Sequence, residues 1–325
     1  MRISRPVFAA LLIVGSLLCA CQAASQDQPG TPESVLPTPG TEAFRSPVEL
    51  ATESPDAYFE GSIAFHSERS GSLQLYILDG ETGETEPLTF APAGSFEPNW
   101  SPDCKSLAFA SEPDPGSFEI YTMQIGSDVQ KRLFENQPAD DWSPAWSPEG
   151  DVIAYQTNQT GKLNVCFVSV DGEQQGCIEG EHSNALPAWS PDGSSILFIS
   201  NRDGDWEIYL DDFPTTSSPT KLTDNEAVDM HPRFSPDGEL IVFDSKRSGN
   251  YDIFVMKADG SQETQLTSEG ADDVMPDWLG DGRIVFASRR TSDWELYLMD
   301  QDGQNVTRLT SAPGLDKWPV WCHGR

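Results

Sequence analysis

Positive charge is what this chain of 325 residues most lacks: 20 Lys plus Arg stand against 52 Asp plus Glu, for a formal charge of −32. No basic cluster is present to neutralise phosphates, which argues against a nucleic-acid partner, and an anionic membrane would repel the folded part. An acidic surface also serves solubility. Histidine is nearly as scarce, with His66, His182, His231 and His323 alone, which argues against a three-histidine metal site. No Gly-x-Ser-x-Gly occurs, so the nucleophile elbow of a serine hydrolase is missing. Long apolar runs are missing too. The one candidate, residues 7–18, is shorter than the ~20 residues that a membrane-spanning helix needs.

That short run has another reading. Arg2 and Arg5 precede it, and it ends in Leu18-Cys19-Ala20-Cys21, with Leu at minus three and Ala at minus one to Cys21. This pattern is similar to a bacterial lipoprotein signal with its lipobox, so residues 1–21 are expected to be a signal peptide and Cys21 the lipidated mature N-terminus. Residues 22–57 carry six prolines among Thr, Ser, Gln and Glu without a hydrophobic period, and read as a disordered tether. The expected location is extracytoplasmic, in the periplasm or at the cell surface, with the membrane reached through the lipid anchor alone.

From residue 58 onward one phrase recurs six times. Its full form is Pro-x-aromatic-Ser-Pro-acidic-Gly, at 144–150, 187–193 and 232–238, with degraded copies at 98–104 and 276–282 and a truncated one at 319–322. The aromatics Trp100, Trp146, Trp189, Phe234, Trp278 and Trp321 are spaced 46, 43, 45, 44 and 43 residues apart, a period that means an array of supersecondary units. After each phrase comes an apolar run rich in Ile, Val and Phe and too short for a helix, then a polar turn, a second such run, and a weaker third one ending in Leu-Thr. Asp-Gly pairs at Asp171-Gly172, Asp259-Gly260 and Asp302-Gly303 mark hairpins. With the strand that carries the aromatic, each repeat holds four antiparallel strands, the content of one propeller blade.

The expected fold is all-β: a six-bladed β-propeller of four-stranded antiparallel blades over residues 58–325. Its phase predicts how the ring closes. The domain opens on the strand that follows a phrase, and the chain ends on a phrase, so the last strand supplies the missing inner strand of the first blade. Cys166 and Cys177 flank the Asp171-Gly172 turn symmetrically if that loop has two residues, which places them face to face and permits a disulfide in an oxidising compartment. Cys104 and Cys322 fall at inner-strand ends of neighbouring blades, and a bond between them would latch the final strand.

A candidate ligand surface follows from the repeat. Three residues before each Pro stand Ser95, Asp141, Asn184, Asp229, Asp273 and Asp316, with Asp140 and Asp272 beside two of them. Converging on one rim of the channel, these oxygens would suit calcium or the basic groups of a partner; the alternative is that each makes a local Asx turn at the start of its strand. Residues 200–205 hint at a calcium loop but match hairpin turns elsewhere in the chain. The arginines Arg69, Arg202, Arg247 and Arg290 read as turn-stabilising, and the phrase's aromatics as packing between blades.

The phrase, the Ser-x-Arg-x-Gly turn and the strand Ile253-Phe254-Val255-Met256 resemble the WD-repeat-like β-propeller repeats of the TolB-like family, across residues 58–325. The resemblance implies a binding or scaffolding module that is not an enzyme, whose propeller engages an envelope protein or peptide. Where TolB has an α/β domain ahead of its propeller, the signal and tether stand here. The alternative is a propeller enzyme or glycan-binding protein acting on extracellular polysaccharide. A monomer without a firm cofactor is expected.

Overall fold

The computed structural model describes residues 58–322 except 91–93, 115, 135–138, 179 and 215–217. The signal peptide, Cys21, the tether and His323 lie outside the described residues.

The described strands run in chain order through six sheets. The first sheet opens with β1 (Ser62–Ser67), β2 (Gln74–Asp79) and β3 (Thr85–Pro87). The second is β4 (Ser95–Trp100), β5 (Ser106–Asp114), β6 (Ser117–Gln124) and β7 (Gln130–Arg132). The third is β8 (Asp141–Trp146), β9 (Val152–Thr157), β10 (Asn164–Ser169) and β11 (Gln174–Ile178). The fourth is β12 (Asn184–Trp189), β13 (Ser195–Ser200), β14 (Glu207–Asp212) and β15 (Thr220–Lys221). The fifth is β16 (Asp229–Phe234), β17 (Leu240–Ser245), β18 (Asp252–Lys257) and β19 (Thr264–Gln265). The sixth is β20 (Asp273–Trp278), β21 (Ile284–Ser288), β22 (Glu295–Met299) and β23 (Thr307–Arg308). Last, β24 (Asp316–Trp321) pairs antiparallel with β1, so the order in the first sheet is β24-β1-β2-β3. The protein is a six-bladed propeller of four-stranded antiparallel blades, closed by its final strand as the phase of the repeat predicts.

Blades hold together because strands buried on both faces carry apolar residues at consecutive positions. Ile63, Phe65, Phe109, Phe198, Phe243 and Phe286 are wholly inaccessible, and clusters join one blade to the next, as where Phe65 and Leu78 pack with Val285 and Leu298. The phrase's indoles add a polar weld. Trp100 Nε1 donates to the Val320 carbonyl (3.1 Å), Trp189 Nε1 to that of Ala145 (3.0 Å) and Trp278 Nε1 to that of Arg233 (3.3 Å), each on the preceding blade. The aromatics therefore pack and bond between blades. In the turn that follows, Ser101, Ser190 and Ser235 hydroxyls donate to Asp103, Asp192 and Asp237.

Every inner strand carries a β-bulge at the phrase's Pro. The residue before the Pro adopts a left-handed conformation in all six copies: Glu97, Ser143, Leu186, His231, Met275 and Trp318, at φ 50–56°. Such φ values are rare away from glycine and persist where surrounding structure enforces them. The bulge is also what allows a Pro inside the sheet, since Pro cannot donate to a ladder. Buried acceptors on the preceding blade help to hold the bulges. His66 Nδ1 accepts from Glu97 N–H (3.3 Å), Glu97 Oε2 from Ser143 N–H (2.8 Å), Gln156 Oε1 from Leu186 N–H (3.2 Å) and Asp244 Oδ1 from Met275 N–H (2.9 Å). Burial pushes His66 down to about 3, keeping the imidazole neutral and able to accept.

Both cysteine pairs are joined. Cys166 and Cys177 are register partners with Cα atoms 3.9 Å apart. Nearer the turn Val168 faces Gln174, one residue out of that register, so a bulge in β11 brings the cysteines opposite each other. Cys104 and Cys322 have Cα atoms 5.8 Å apart. Cys104 stands where other copies have Gly, and at φ 57° it keeps the left-handed turn those glycines make.

Candidate functional site

Two ends of the channel can be compared, because all six inner strands run the same way around it. Their first residues are the predicted rim. The structure brings these residues to equivalent positions and buries them: Ser95, Asp141, Asp229, Asp273 and Asp316 are fully inaccessible and Asn184 nearly so. Each of three carboxylates is tied to an arginine of its own blade, Asp316 to Arg69 (2.6 Å), Asp229 to Arg247 (2.8 Å) and Asp273 to Arg290 (2.9 Å), and Asn184 Oδ1 accepts from Arg202 (3.1 Å). The arginines also bond the Ser two residues earlier and lie over paired rings, as Arg247 does on Phe243 and Phe254. Four residues of the expected rim, Asp316, Asp229, Asp273 and Asn184, thus join these arginines in a packed layer of polar and cation–π contacts. The reason is reach: the Ser-x-Arg turn lies beside the strand start and folds its guanidinium inward over the aromatics.

In the blade of Asp141 the position of the arginine is held by Gln159, and Cys166 takes the place held elsewhere by Tyr or Phe. Asp140 accepts from Asn158 Nδ2 (2.7 Å) and Asp272 pairs with Arg289 (2.6 Å). Among the described residues no three His, Cys, Asp or Glu side chains stand where they could hold a metal ion. The acidic group Asp203, Asp205, Asp224 and Glu226 surrounds Lys221, whose ammonium reaches Asp224 at 2.6 Å and Asp203 at 3.4 Å.

The other end of the strands holds a cavity of about 510 Å³ lined by all six blades. Its wall is the phrase itself: Trp, Phe, Ser and Pro of successive copies, with the residue between Pro and the aromatic supplying Asn99, Ala145, Ala188, Arg233, Asp277 and Val320. Next to this ring two of the bulge residues meet. His231 and Trp318, two blades apart, contact edge to face at 5.1 Å, and His231 Nδ1 lies 2.7 Å from Asp244 Oδ1. Burial raises the Glu97 carboxyl above its usual range, against the hydrogen bonds from Ser143 and the charges of His231 and Arg233. Burial likewise works against the charge of Arg233, which Asp277, Glu97 and Asp244 support.

Residues 51–185 and 142–322 match the TolB beta propeller domain. The chain belongs to that family. It is 30% identical over 130 residues to the Tol-Pal system protein TolB of Francisella tularensis, covering 38% of this chain and 29% of that one. An uncharacterized protein of Agrobacterium fabrum is 35% identical over 102 residues, 31% of this chain and 34% of the other. The chain thus matches about a third of the length of these curated relatives. Among solved structures, TolB from Acinetobacter baumannii superposes with TM-score 0.71 at 21% identity, over 81% of this chain and 66% of that one. A putative TolB from Agrobacterium tumefaciens gives 0.64 at 25% identity, over 82% and 92%. The fold is shared with an oligogalacturonate lyase from Vibrio parahaemolyticus, at TM-score 0.55 and 12% identity over 75% and 73%, so membership of the TolB propeller family is a statement about architecture before it is one about activity.

Sequence reasoning placed the phrase's aromatics between blades and passed over their neighbour. The signal was available: between the Pro and the aromatic that every copy keeps, one position reads Asn, Ala, Ala, Arg, Asp and Val, and alternation along a strand turns it to the opposite face from the aromatic.

Proposed function

We propose that this chain is a non-catalytic, extracytoplasmic lipoprotein whose propeller binds an envelope protein or peptide at the cavity formed by the phrase. The observation that carries this reading is the cavity itself. It draws one variable residue from each of six blades, and its mixed apolar and polar wall is the usual make-up of a recognition site. The lipobox around Cys21, the tether and the two disulfides agree with an oxidising compartment. Similarity to TolB proteins supports a partner that is itself a protein.

The test is site-directed photo-crosslinking in cells, with a photoreactive residue at Phe234 in the mouth and, as control, at Phe90, which is 71% exposed in the loop leading to the opposite end. A discrete protein adduct from position 234 and none from 90 is expected. Equal adducts from both positions, or none from 234, would refute the mouth as the binding surface. Capture of polysaccharide in place of protein would favour the second reading, a glycan ligand.

A further inference from the structure

The mouth has a chemical polarity of its own, because its hydrogen-bond acceptors are largely used up by the wall. Asn99 Oδ1 accepts from Trp146 N–H (2.8 Å) and Asp277 Oδ2 from Trp321 N–H (2.8 Å). The carbonyls of Val320, Ala145 and Arg233 take the indole N–H groups of the following blades. The Ser101, Ser190 and Ser235 hydroxyls accept from the N–H groups of Ser106, Ser195 and Leu240 and donate to the aspartates of their own turns. Donors are what remain. Arg233 is the only cation in the lining and Asp277 the only anion; the charges of Asp277, Glu97 and Asp244 act on the guanidinium, but among the described residues its one hydrogen bond is from Nη1 to the Pro232 carbonyl (3.1 Å). A guanidinium carries five N–H donors, and the Asn99 amide carries two more. These two side chains come from the second and fifth blades and face each other across the channel.

Buried side chains crowd the inner end of the cavity. Glu97, Ser143, His231 and Trp318 are buried just below it, with His231 and Trp318 in ring contact. A recess crowded at its inner end admits the end of a chain more readily than its middle, which would have to enter and leave by one opening. We propose that the mouth is a receptor for a free C-terminal carboxylate: the last residues of an extended partner chain enter end-on, and the terminal carboxylate pairs with Arg233 while the Asn99 amide donates from the opposite side. A planar guanidinium matches a carboxylate with two parallel hydrogen bonds, and a recess of this size holds a short peptide end against its Trp, Phe and Pro walls. The inference rests on the mouth being the partner-binding surface.

The experiment uses the full chain and a peptide library immobilised through its N-termini, displayed once with free carboxylates and once amidated. Binding is expected in the free-carboxylate set alone. For the strongest binder in solution, amidation and Arg233→Gln are each expected to weaken affinity roughly tenfold or more, with Arg233→Lys recovering part of it. Comparing acid with amide on the unaltered protein keeps the result independent of how Arg233→Gln folds. Equal binding of acid and amide peptides, binding to neither set, or an Arg233→Gln protein of unchanged melting temperature and unchanged affinity would overturn the proposal. If peptides bind irrespective of their terminus and cross-link from position 234, the partner-binding reading stands and the carboxylate falls.

Discussion

The closing strand offers the sharpest quantitative test. Cys104–Cys322 spans 218 residues and Cys166–Cys177 spans 11, so the two bonds constrain the unfolded chain very differently. Chain-entropy reasoning gives about 5 kcal/mol for the long loop and about 3 kcal/mol for the short one. A domain of 265 residues unfolds with an entropy of roughly 0.55 kcal/mol/K, so each kcal/mol moves the melting temperature by about 2 °C. Replacing Cys104 and Cys322 together with Ser should then lower Tm by about 10 °C, and replacing Cys166 and Cys177 by about 5 °C. Paired substitution avoids leaving an unmatched thiol, and scanning calorimetry under non-reducing conditions reads both shifts. The long-loop variant should also lose cooperativity first, because β24 would be held by its ladder to β1 and its packing alone. A larger shift for the 166/177 pair, or none for 104/322, would refute the view that the latch on the closing strand is the stronger constraint.

Other outcomes follow from the buried charges and from closure. Arg247→Ala strands the Asp229 carboxylate inside the fifth blade and should cost about 3–5 kcal/mol in urea unfolding, with Asp229→Asn in the same chain restoring part of it; a loss under about 1 kcal/mol would dismiss the pair as structural. Burial pushes Glu207 up to about 7 even though Thr223 and the Asn225 N–H donate to it. Its folded-state value is raised, so its contribution is greatest below about pH 4.5 and is lost as pH rises through 7. Urea midpoints at pH 5 and pH 8 should therefore differ less in Glu207→Gln than in the parent, and equal differences would contradict this. Deleting residues 319–325 removes the second half of β24 and should abolish the cooperative melt, whereas an unchanged transition would mean the ring does not depend on its final strand.

The fold was legible because the phrase repeats at a nearly fixed period and its phase leaves the first blade one strand short and the last phrase one strand over. Strand positions read from apolar runs agree with the ladders because those strands are buried on both faces, which gives consecutive apolar residues a single meaning. The arginine partners of the rim were not read from the sequence for a physical reason. Recurrence of Asp at the strand start marks a shared local partner as readily as a shared ligand, and Arg69, Arg247 and Arg290 were in the sequence at a constant offset from the paired strand. The bulges were not legible, since Glu, Ser, Leu, His, Met and Trp have no common tendency toward positive φ; the backbone there is set by the following Pro and by acceptors 30 or more residues away. The cavity was hidden for the opposite reason. Its lining sits inside the most repeated motif, whose second position reads five different residues in six copies.

Sharing the first blade between the two ends of the chain also orders events during synthesis. β1, β2 and β3 emerge early, but the strand that pairs with β1 begins at Asp316. At roughly 5–20 residues per second, about 12–50 s of translation separate them. Throughout that interval β1 presents an unpaired edge of Ile63, Ala64 and Phe65, residues that are wholly buried in the finished ring. The first part of the propeller to be made is therefore the last to be completed, and for that time it depends on whatever shields a bare strand from its neighbours.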